Sequence, residues 1–257
     1  MDVPSLIDHL DTQGSLLGDA AERAGLAAAV PTCPGWLVRD LLLHMGGVHR
    51  WAATVVREAL ATAPDIDQPY DIVAELPTDD ALPAWYRTGH TELVHTLRAA
   101  PTDLACWTFL PAPSPLAHWA RRQAQETTVH RVDADRATGT GESPPVPTAL
   151  ADDGIDELLT CSLSGRSRRL RSKTERLLHI NATDTDSHWR IWIGPDAPKA
   201  VRVAGDEPAD DTVRGPADQL YLALWNRLPW DGLTVTGAST KAQLSELWSS
   251  KVHMRWS

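Results

Sequence analysis

The segment PTCPGWLVRDLLLHMGGVHRW, residues 31–51, places one histidine, His44, directly after three leucines in a stretch with helical spacing. Read at helical spacing, one stripe carries Leu37, Leu41, His44, Val48, Trp51 and Val55. A stripe of this kind faces a protein core. His44 is therefore either a buried histidine with a hydrogen-bond partner or a ligand, and the segment alone leaves both interpretations open.

Beyond this segment, the first half of the chain predicts four helices separated by proline-containing connections, over 4–28, 34–63 and 79–100, and from near SPLAHWA (114–120) to about 137. Pro34 suits the first turn of the second helix, where its missing N–H costs nothing. Four helices of this length are typical of a four-helix bundle. The stretch TGTGESPPVP, residues 138–147, breaks the pattern and predicts a linker, with domains over 1–141 and 142–257.

The second half of the chain alternates short β-rich runs with helical segments. Helices are predicted over 148–164, 215–228 and 241–250, and strands over 176–183, 188–194, 199–205 and 233–237. Strands grouped in this way predict a small α+β domain with a mostly antiparallel sheet. The expected fold class is therefore a two-domain α+β protein, with a helical bundle followed by this smaller domain.

Charge and composition exclude several classes of protein. The 257 residues include 24 Lys and Arg against 34 Asp and Glu, a formal net charge of −10, which argues against nucleic acid as the main partner. No window resembles a membrane span or a signal peptide, so we expect a soluble, cytoplasmic protein. Cys33, Cys106 and Cys161 lie too far apart to suggest a disulfide framework or a zinc ribbon.

The fourth predicted helix carries a second group of polar residues. Glu126 and His130 are four residues apart and project from one face, with Asp133 three residues further on. Because Trp119 lies on the same face, that face points inward, where a glutamate is costly unless it is paired or metal-bound. With His44, two nitrogens and one carboxylate form a set that suits catalytic zinc, and nickel or iron would also accept it. A surface hydrogen bond between Glu126 and His130 is the alternative.

The sequence is recognisable at three motifs: VPTCPGWLVRDLLLHMGGVHRW at 30–51, ETTVHRVDADR at 126–136 and VRGPADQLYLALWNR at 213–227. It resembles the mycothiol-dependent maleylpyruvate isomerase family, whose first domain belongs to the DinB-like metal-binding bundles. The resemblance implies a divalent metal, usually taken as zinc, held by His44, Glu126 and His130. It also implies a C-terminal arginine that reaches the site. Arg227 matches it best, although Asn226 stands where relatives commonly carry glycine, and Arg214 is a second candidate.

The resemblance implies mycothiol, the low-molecular-weight thiol of actinobacteria, as cosubstrate. The expected function is a metal-dependent enzyme that activates this thiol as a metal-bound thiolate for addition to a small electrophilic substrate. An isomerase would release the thiol after rotation about the former double bond, whereas an S-transferase would leave it attached. A metal-dependent hydrolase and a non-catalytic metal-binding sensor or carrier are the alternatives. Oligomeric state stays open between monomer and homodimer.

Four further histidines are not expected to be ligands. His49 is five residues from His44, so we expect it on a solvated face of the helix. His90 and His95 are expected at surface or edge positions, and His118 at the mouth of the pocket.

Three further features have two interpretations each. Asp133 either orients a ligand histidine or forms a surface salt bridge with an arginine. Cys33 is expected to be a capping or packing residue, with a reactive thiol as the alternative. The basic run RSRRLRSKTER, residues 166–176, is expected to be a solvated helix end and loop, with a docking site for an anionic substrate as the alternative.

Overall fold

The computed structural model describes residues 1–141, 143–167 and 169–252. The chain divides into two compact units, Met1–Pro144 and Pro145–Ser257. The boundary predicted between residues 141 and 142 touches Glu142, which lies outside the described residues. Within the described ranges, no helix is both long and apolar enough to cross a membrane.

Unit 1 is built from four long helices: α1 (Val3–Ala24), α2 (Val38–Arg57), α3 (Leu82–Ala99) and α4 (Pro115–Ala137). Helix α1 packs mainly on α4 and α3, and α2 packs on α3 and α4, which confirms the predicted four-helix bundle. The start of α4 is set by neighbouring residues. The Ser114 side chain accepts a hydrogen bond from the Ala117 N–H, and Pro115 takes the first helical position. Short 3-10 turns at Pro69–Ile72 and Asp79–Ala81 lie between α2 and α3.

The second helix is shorter than the predicted 34–63. Residues 31–36 form a loop, the 31–36 loop, which is closed by the Val30 N–H donating to the Trp36 carbonyl at 2.9 Å. Gly35 has φ +90°, a left-handed conformation that suits glycine and ends any helix there. At the other end of α2, Ala59 has φ +48°, so the helix stops at Arg57. The predicted helical role of Pro34 is therefore wrong.

Two adjacent glycines on α2 let neighbouring groups approach its backbone. A Cβ atom on Gly46 would lie 2.1 Å from Cζ3 of Trp85, and one on Gly47 would lie 2.7 Å from Cα of Tyr70. Only hydrogen fits at these positions, because contacts this short are overlaps. The GG pair in the opening segment thus sets how closely α3 and the 3-10 turn pack on α2.

A buried arginine ties the end of unit 1 to the bundle. Arg131 on α4 is fully buried and donates to Gln13 Oε1 at 2.9 Å and to Asp135 Oδ2 at 2.9 Å. Its Nη1 also donates to the Ser143 hydroxyl at 2.8 Å and to the Pro144 carbonyl at 2.6 Å. This group, the Arg131 clamp, joins α1, α4 and the segment that follows α4.

Unit 2 contains a five-stranded sheet with the order β3-β2-β1-β4-β5. Its strands are β1 (Arg176–Ala182), β2 (Ser187–Ile193), β3 (Lys199–Val203), β4 (Asp211–Gly215) and β5 (Thr234–Gly237). Neighbouring strands are antiparallel except β1 and β4, which are parallel, so the mostly antiparallel α+β prediction is confirmed. The helices are α5 (Thr148–Asp156), which continues as a π-helical stretch over Glu157–Leu163, then α6 (Ala217–Leu224) and α7 (Lys241–Lys251).

Strand β4 was not predicted from the sequence. Its burial alternates, with Asp211, Val213 and Gly215 buried, but the first of these is charged and the last has no side chain. The Asp211 carboxylate is satisfied by the Ser239 N–H at 2.6 Å and the Ser239 hydroxyl at 2.9 Å. Of the three buried positions of β4, only Val213 is apolar, so the alternation that predicts a strand is not visible in the sequence.

Candidate metal centre

Three predicted ligands, His44 from α2 and Glu126 and His130 from α4, meet inside the bundle. One donor atom from each lies within 4.8 Å of the others, and all three residues are buried. His44 Nε2 lies 3.5 Å from Glu126 Oε1, and the two imidazole centroids are 5.2 Å apart. The three residues that helical spacing selected in the sequence therefore lie close together in the structure. Two imidazoles and one carboxylate at these separations can hold a divalent ion.

Arg122 belongs to the same face of α4 and was missed from the sequence. It is 4% exposed, and its Nε lies 3.8 Å from Glu126 Oε2. Residues four apart on a helix stack above one another, so the spacing of Arg122 to Glu126 could have indicated it. A buried guanidinium thus lies one helical turn from the candidate ligands.

The charge of Glu126 is set by opposing effects. Burial raises the pKa of its carboxyl, but hydrogen bonding to His44 and the charges of Arg122, His44 and His130 outweigh burial and hold the pKa below its usual value. The side chain is therefore an ionised carboxylate at neutral pH, the form that binds a metal ion.

Asp133 supports His130, as one of its two interpretations predicted. His130 Nδ1 lies 2.8 Å from Asp133 Oδ2, and both side chains are fully buried. An ionised carboxylate only accepts hydrogen bonds, so its pairing with Nδ1 would leave Nε2 as the nitrogen that can bind a metal. The surface salt bridge, the other interpretation of Asp133, is wrong.

The 31–36 loop supplies groups that the sequence did not reveal. The Trp36 ring lies 5.1 Å from His44 and 6.1 Å from His130, nearly parallel to the latter at 14°. Thr32 Oγ1 donates to Asp133 Oδ1 at 2.5 Å, and Cys33 Sγ lies 3.3 Å from Asp133 Oδ2. Cys33, Asp133 and His130 also have donor atoms within 4.8 Å of one another. Cys33 is a buried packing residue of the loop, as expected, rather than the start of a helix.

Two histidines expected at the surface are buried instead. His49 is 0% exposed and lies 2.9 Å through Nε2 from the Thr127 hydroxyl, and His90 is 4% exposed beside it, with ring centroids 5.3 Å apart. Burial is the main cause that lowers the pKa of each, and for His49 the neighbouring His90 adds to it. The surface predictions for His49 and His90 are wrong, whereas His95 is exposed as expected.

His118 lies within an aromatic cluster rather than at a pocket mouth. It is 2% exposed and contacts Phe109 at 4.7 Å and Trp119 at 5.1 Å between ring centroids. Burial, and secondly the charge of Arg122, lowers its pKa to about 4. The ring is therefore neutral at neutral pH.

This depressed pKa predicts a pH dependence of stability. Between pH 6.5 and about 4 the unfolded chain protonates His118 while the folded chain does not, so the free energy of unfolding falls as the pH is lowered. The slope for one such group is at most about 1.4 kcal/mol per pH unit. His118→Gln should flatten the curve in urea unfolding at pH 6.5, 5.5 and 4.5, and the exposed His95→Gln should not. Equal slopes for His118→Gln and the wild type would contradict this assignment.

The two predicted catalytic arginines belong to unit 2. Arg214 on β4 forms an ion pair with Asp206. Arg227 follows α6, donates to the Trp225 carbonyl at 2.9 Å, and lines a pocket of about 760 Å³ together with Asp231 and Lys241. Arg227 is thus the candidate that lies in a cavity of this unit.

In the described part of the basic run, residues 166, 167 and 169–175 form a loop that leads into β1, which agrees with its first interpretation. Arg166, Arg169 and Lys173 are exposed, and Arg168 lies outside the described residues. Arg171 and Arg176 bond inward, to the Ser167 carbonyl and the Ser239 hydroxyl respectively.

Comparisons with known proteins agree with this architecture. The family model for the mycothiol maleylpyruvate isomerase N-terminal domain matches residues 7–135, and that for the MDMPI C-terminal domain matches 149–244. No curated protein matches the sequence. A crystal structure of the mycothiol-dependent maleylpyruvate isomerase is similar with a TM-score of 0.64 and 13% identity, over 94% of this chain and 96% of that chain. A histidine-to-alanine mutant of that enzyme gives 0.62 and 12% over the same shares. The structural likeness shows the fold, and the family models establish that the chain belongs to the mycothiol-dependent maleylpyruvate isomerase family.

Proposed function

We propose that this protein is a metal-dependent enzyme that activates mycothiol for addition to a small electrophile, with isomerisation of a cis double bond as its reaction. The observation that carries the proposal is the convergence of His44, Glu126 and His130 within 4.8 Å in the buried interior of the bundle. Membership of the family supplies the thiol and the reaction class. S-transfer is the related outcome if the thiol stays on the product.

The residues present fit a zinc ion by their chemistry. Two imidazoles and one ionised carboxylate are a ligand set of catalytic zinc sites, which keep a further position for water or substrate. A zinc ion bound by His44, Glu126 and His130 would lower the pKa of a coordinating thiol, so that the sulfur reacts as thiolate. The contact between Asp133 and His130 Nδ1 suits this role, because it would leave Nε2 as the nitrogen that faces the ion.

Residues around the proposed ligands would keep water from the ion and orient the ligand side chains. Trp36 covers the two histidine rings, and Arg122 offers a buried positive charge beside the Glu126 carboxylate. In the proposed reaction the thiolate sulfur adds to one carbon of a double bond conjugated to a carbonyl, and the electron pair moves to the carbonyl oxygen. The resulting single bond rotates, the carbonyl re-forms, and the sulfur leaves with its electrons as thiolate. No atom is gained or lost overall.

The developing negative charge on the substrate needs a cation. Arg227 is our proposed group for this task, because it is the best match to the C-terminal arginine that the family resemblance implies, and Arg214 is the second candidate. A guanidinium can hold a substrate carboxylate with two hydrogen bonds or stabilise an enolate.

Metal content and thiol binding test the proposal together. The wild type and His44→Ala are purified, bound metal is quantified, and mycothiol is titrated into the cobalt-substituted proteins. We expect one metal per wild-type chain, a sulfur-to-cobalt charge-transfer band with mycothiol, and loss of both in His44→Ala. Metal without a thiolate band would replace the proposal by a hydrolase or a metal-binding sensor, and no metal would make His44 a buried structural histidine.

The reaction outcome is read separately. The metal-loaded enzyme is incubated with maleylpyruvate, a cis-unsaturated acid, and a substoichiometric amount of mycothiol. Multiple turnovers to the trans isomer per thiol would support the isomerase, and stoichiometric consumption of thiol would indicate the transferase. If maleylpyruvate is converted neither to the trans isomer nor to a thiol adduct, it is not the substrate.

A further inference from the structure

The hydrogen-bond partners of Asp133 include His130 and two side chains of the 31–36 loop. Thr32 Oγ1 donates to Oδ1 at 2.5 Å, while Oδ2 is approached by Cys33 Sγ at 3.3 Å and His130 Nδ1 at 2.8 Å. The carboxylate is 0% exposed, so these contacts replace the water that would otherwise solvate its charge. Each contact therefore helps to hold the Asp133 side chain in one rotamer.

The rotamer of Asp133 determines what His130 can do. A carboxylate oxygen has no proton to give, so it fixes the imidazole as the tautomer with hydrogen on Nδ1 and the lone pair on Nε2. If Asp133 rotated away, Nε2 could carry the proton instead, and the ring would then present no lone pair to the ligand set with His44 and Glu126.

We infer that Thr32 and Cys33 are positioning residues, which set the tautomer and orientation of His130 through Asp133. Cys33 acts here as a hydrogen-bond donor, neither as a nucleophile nor as a metal ligand. Trp36 completes the arrangement from the same loop, because its ring lies nearly parallel to that of His130. The TCPGW sequence is thus a support for a residue about a hundred positions later.

Backbone hydrogen bonds hold the 31–36 loop in the conformation that brings its short side chains to Asp133. Cys33 N–H donates to the Val30 carbonyl and Trp36 N–H donates to the Cys33 carbonyl, both at 3.0 Å. Gly35 supplies the left-handed turn at φ +90°. These bonds fix the loop before its side chains engage Asp133, so the two donors lose little further entropy on binding it.

The inference rests on the proposed function only in taking the site to be a metal site, and its test does not require catalytic turnover. We would compare the wild type with Thr32→Val, Cys33→Ala and the double variant. The conservative Cys33→Ser keeps a donor, and Cys161→Ala removes a buried cysteine of unit 2 as control. Two readouts are used: zinc affinity by competition with a chelator, and the imidazole nitrogen shifts of His130 in the metal-free protein, which report its tautomer.

The double variant should weaken zinc binding by about 10–100-fold, the usual effect of losing an outer-shell partner, and should shift His130 away from the pure Nδ1–H form. Each single variant should give a smaller change in the same direction, which keeps the test available if the double variant does not fold. Cys33→Ser and Cys161→Ala should resemble the wild type in both readouts.

Two results would overturn the inference. One is an unchanged tautomer and zinc affinity in the folded single variants and, where it folds, the double variant. The other is a sulfur-to-cobalt band in the wild type without added thiol that disappears in Cys33→Ser, because Cys33 would then be a ligand. A wild type that binds no metal would instead refute the proposed function, while the tautomer readout would still decide the inference.

Discussion

Glu126→Gln is expected to weaken metal binding by more than the roughly 10–100-fold that loss of an outer-shell partner costs. The neutral amide keeps the size of the side chain but removes the negative charge that His44, Arg122 and His130 stabilise. An amide oxygen is a poor ligand for zinc beside two imidazoles, and the set would be reduced to two good donors. Chelator competition on the zinc-loaded protein measures the change.

The matched control for this substitution is Glu157→Gln, which removes another buried carboxylate, in unit 2. Its metal affinity should equal that of the wild type. If Glu126→Gln also retained wild-type affinity, the carboxylate would not be a ligand, and its place beside His44 would be an ordinary buried ion pair.

Arg131→Met is expected to be the most destabilising substitution in the bundle. It removes the guanidinium of the Arg131 clamp and leaves Asp135, 2% exposed, with the Ser143 hydroxyl and a more distant contact to Arg23 at 3.4 Å. Breaking a buried ion pair on one side costs about 3–5 kcal/mol, because the remaining charge stays desolvated. Urea unfolding of the metal-free protein at neutral pH measures the loss.

Arg87→Met provides the comparison. Arg87 also joins two helices, through Asp19 at 2.9 Å and Glu22 at 2.8 Å, but all three side chains are substantially exposed. Its removal should cost no more than about 1 kcal/mol. Adding Asp135→Asn to Arg131→Met should recover part of the loss, since it removes the stranded charge. Equal destabilisation by Arg131→Met and Arg87→Met would mean that burial of the clamp contributes nothing.

The elements that the sequence predicted well are those set by neighbouring residues. Helix α4 was predicted from near SPLAHWA (114–120) to about 137, and it spans Pro115–Ala137 with Ser114 as its cap, a start set by local residues. The limits of α2 depend on the pairing of Ala29 with Leu37 and on a left-handed glycine, and neither follows from apolar spacing.

The same distinction holds in the candidate metal centre. Glu126 and His130 could be found because one helix carries both at a spacing of four. Thr32 and Trp36 could not, since only the folded loop brings them to Asp133 and to the histidine rings.

The position of His49 was mispredicted for a different reason. Spacing from His44 places it on another face of α2, and a single buried stripe would leave that face in water. Helix α2 instead packs against both α3 and α4, so two of its faces are covered. Gly14 on α1 contributes as well, because a Cβ there would lie 2.2 Å from the His90 ring that packs beside His49.

The parallel pairing of β1 with β4 has a consequence for the order in which unit 2 folds. Strands β1, β2 and β3 form a meander in which each strand pairs with the next through a short connection, so it closes at little entropic cost. Strand β4 must leave the β3 edge and return to the opposite side of β1, where it pairs in parallel. Because non-local pairings tend to form late, we expect the meander to form first and β4 with β5 to pair with it afterwards.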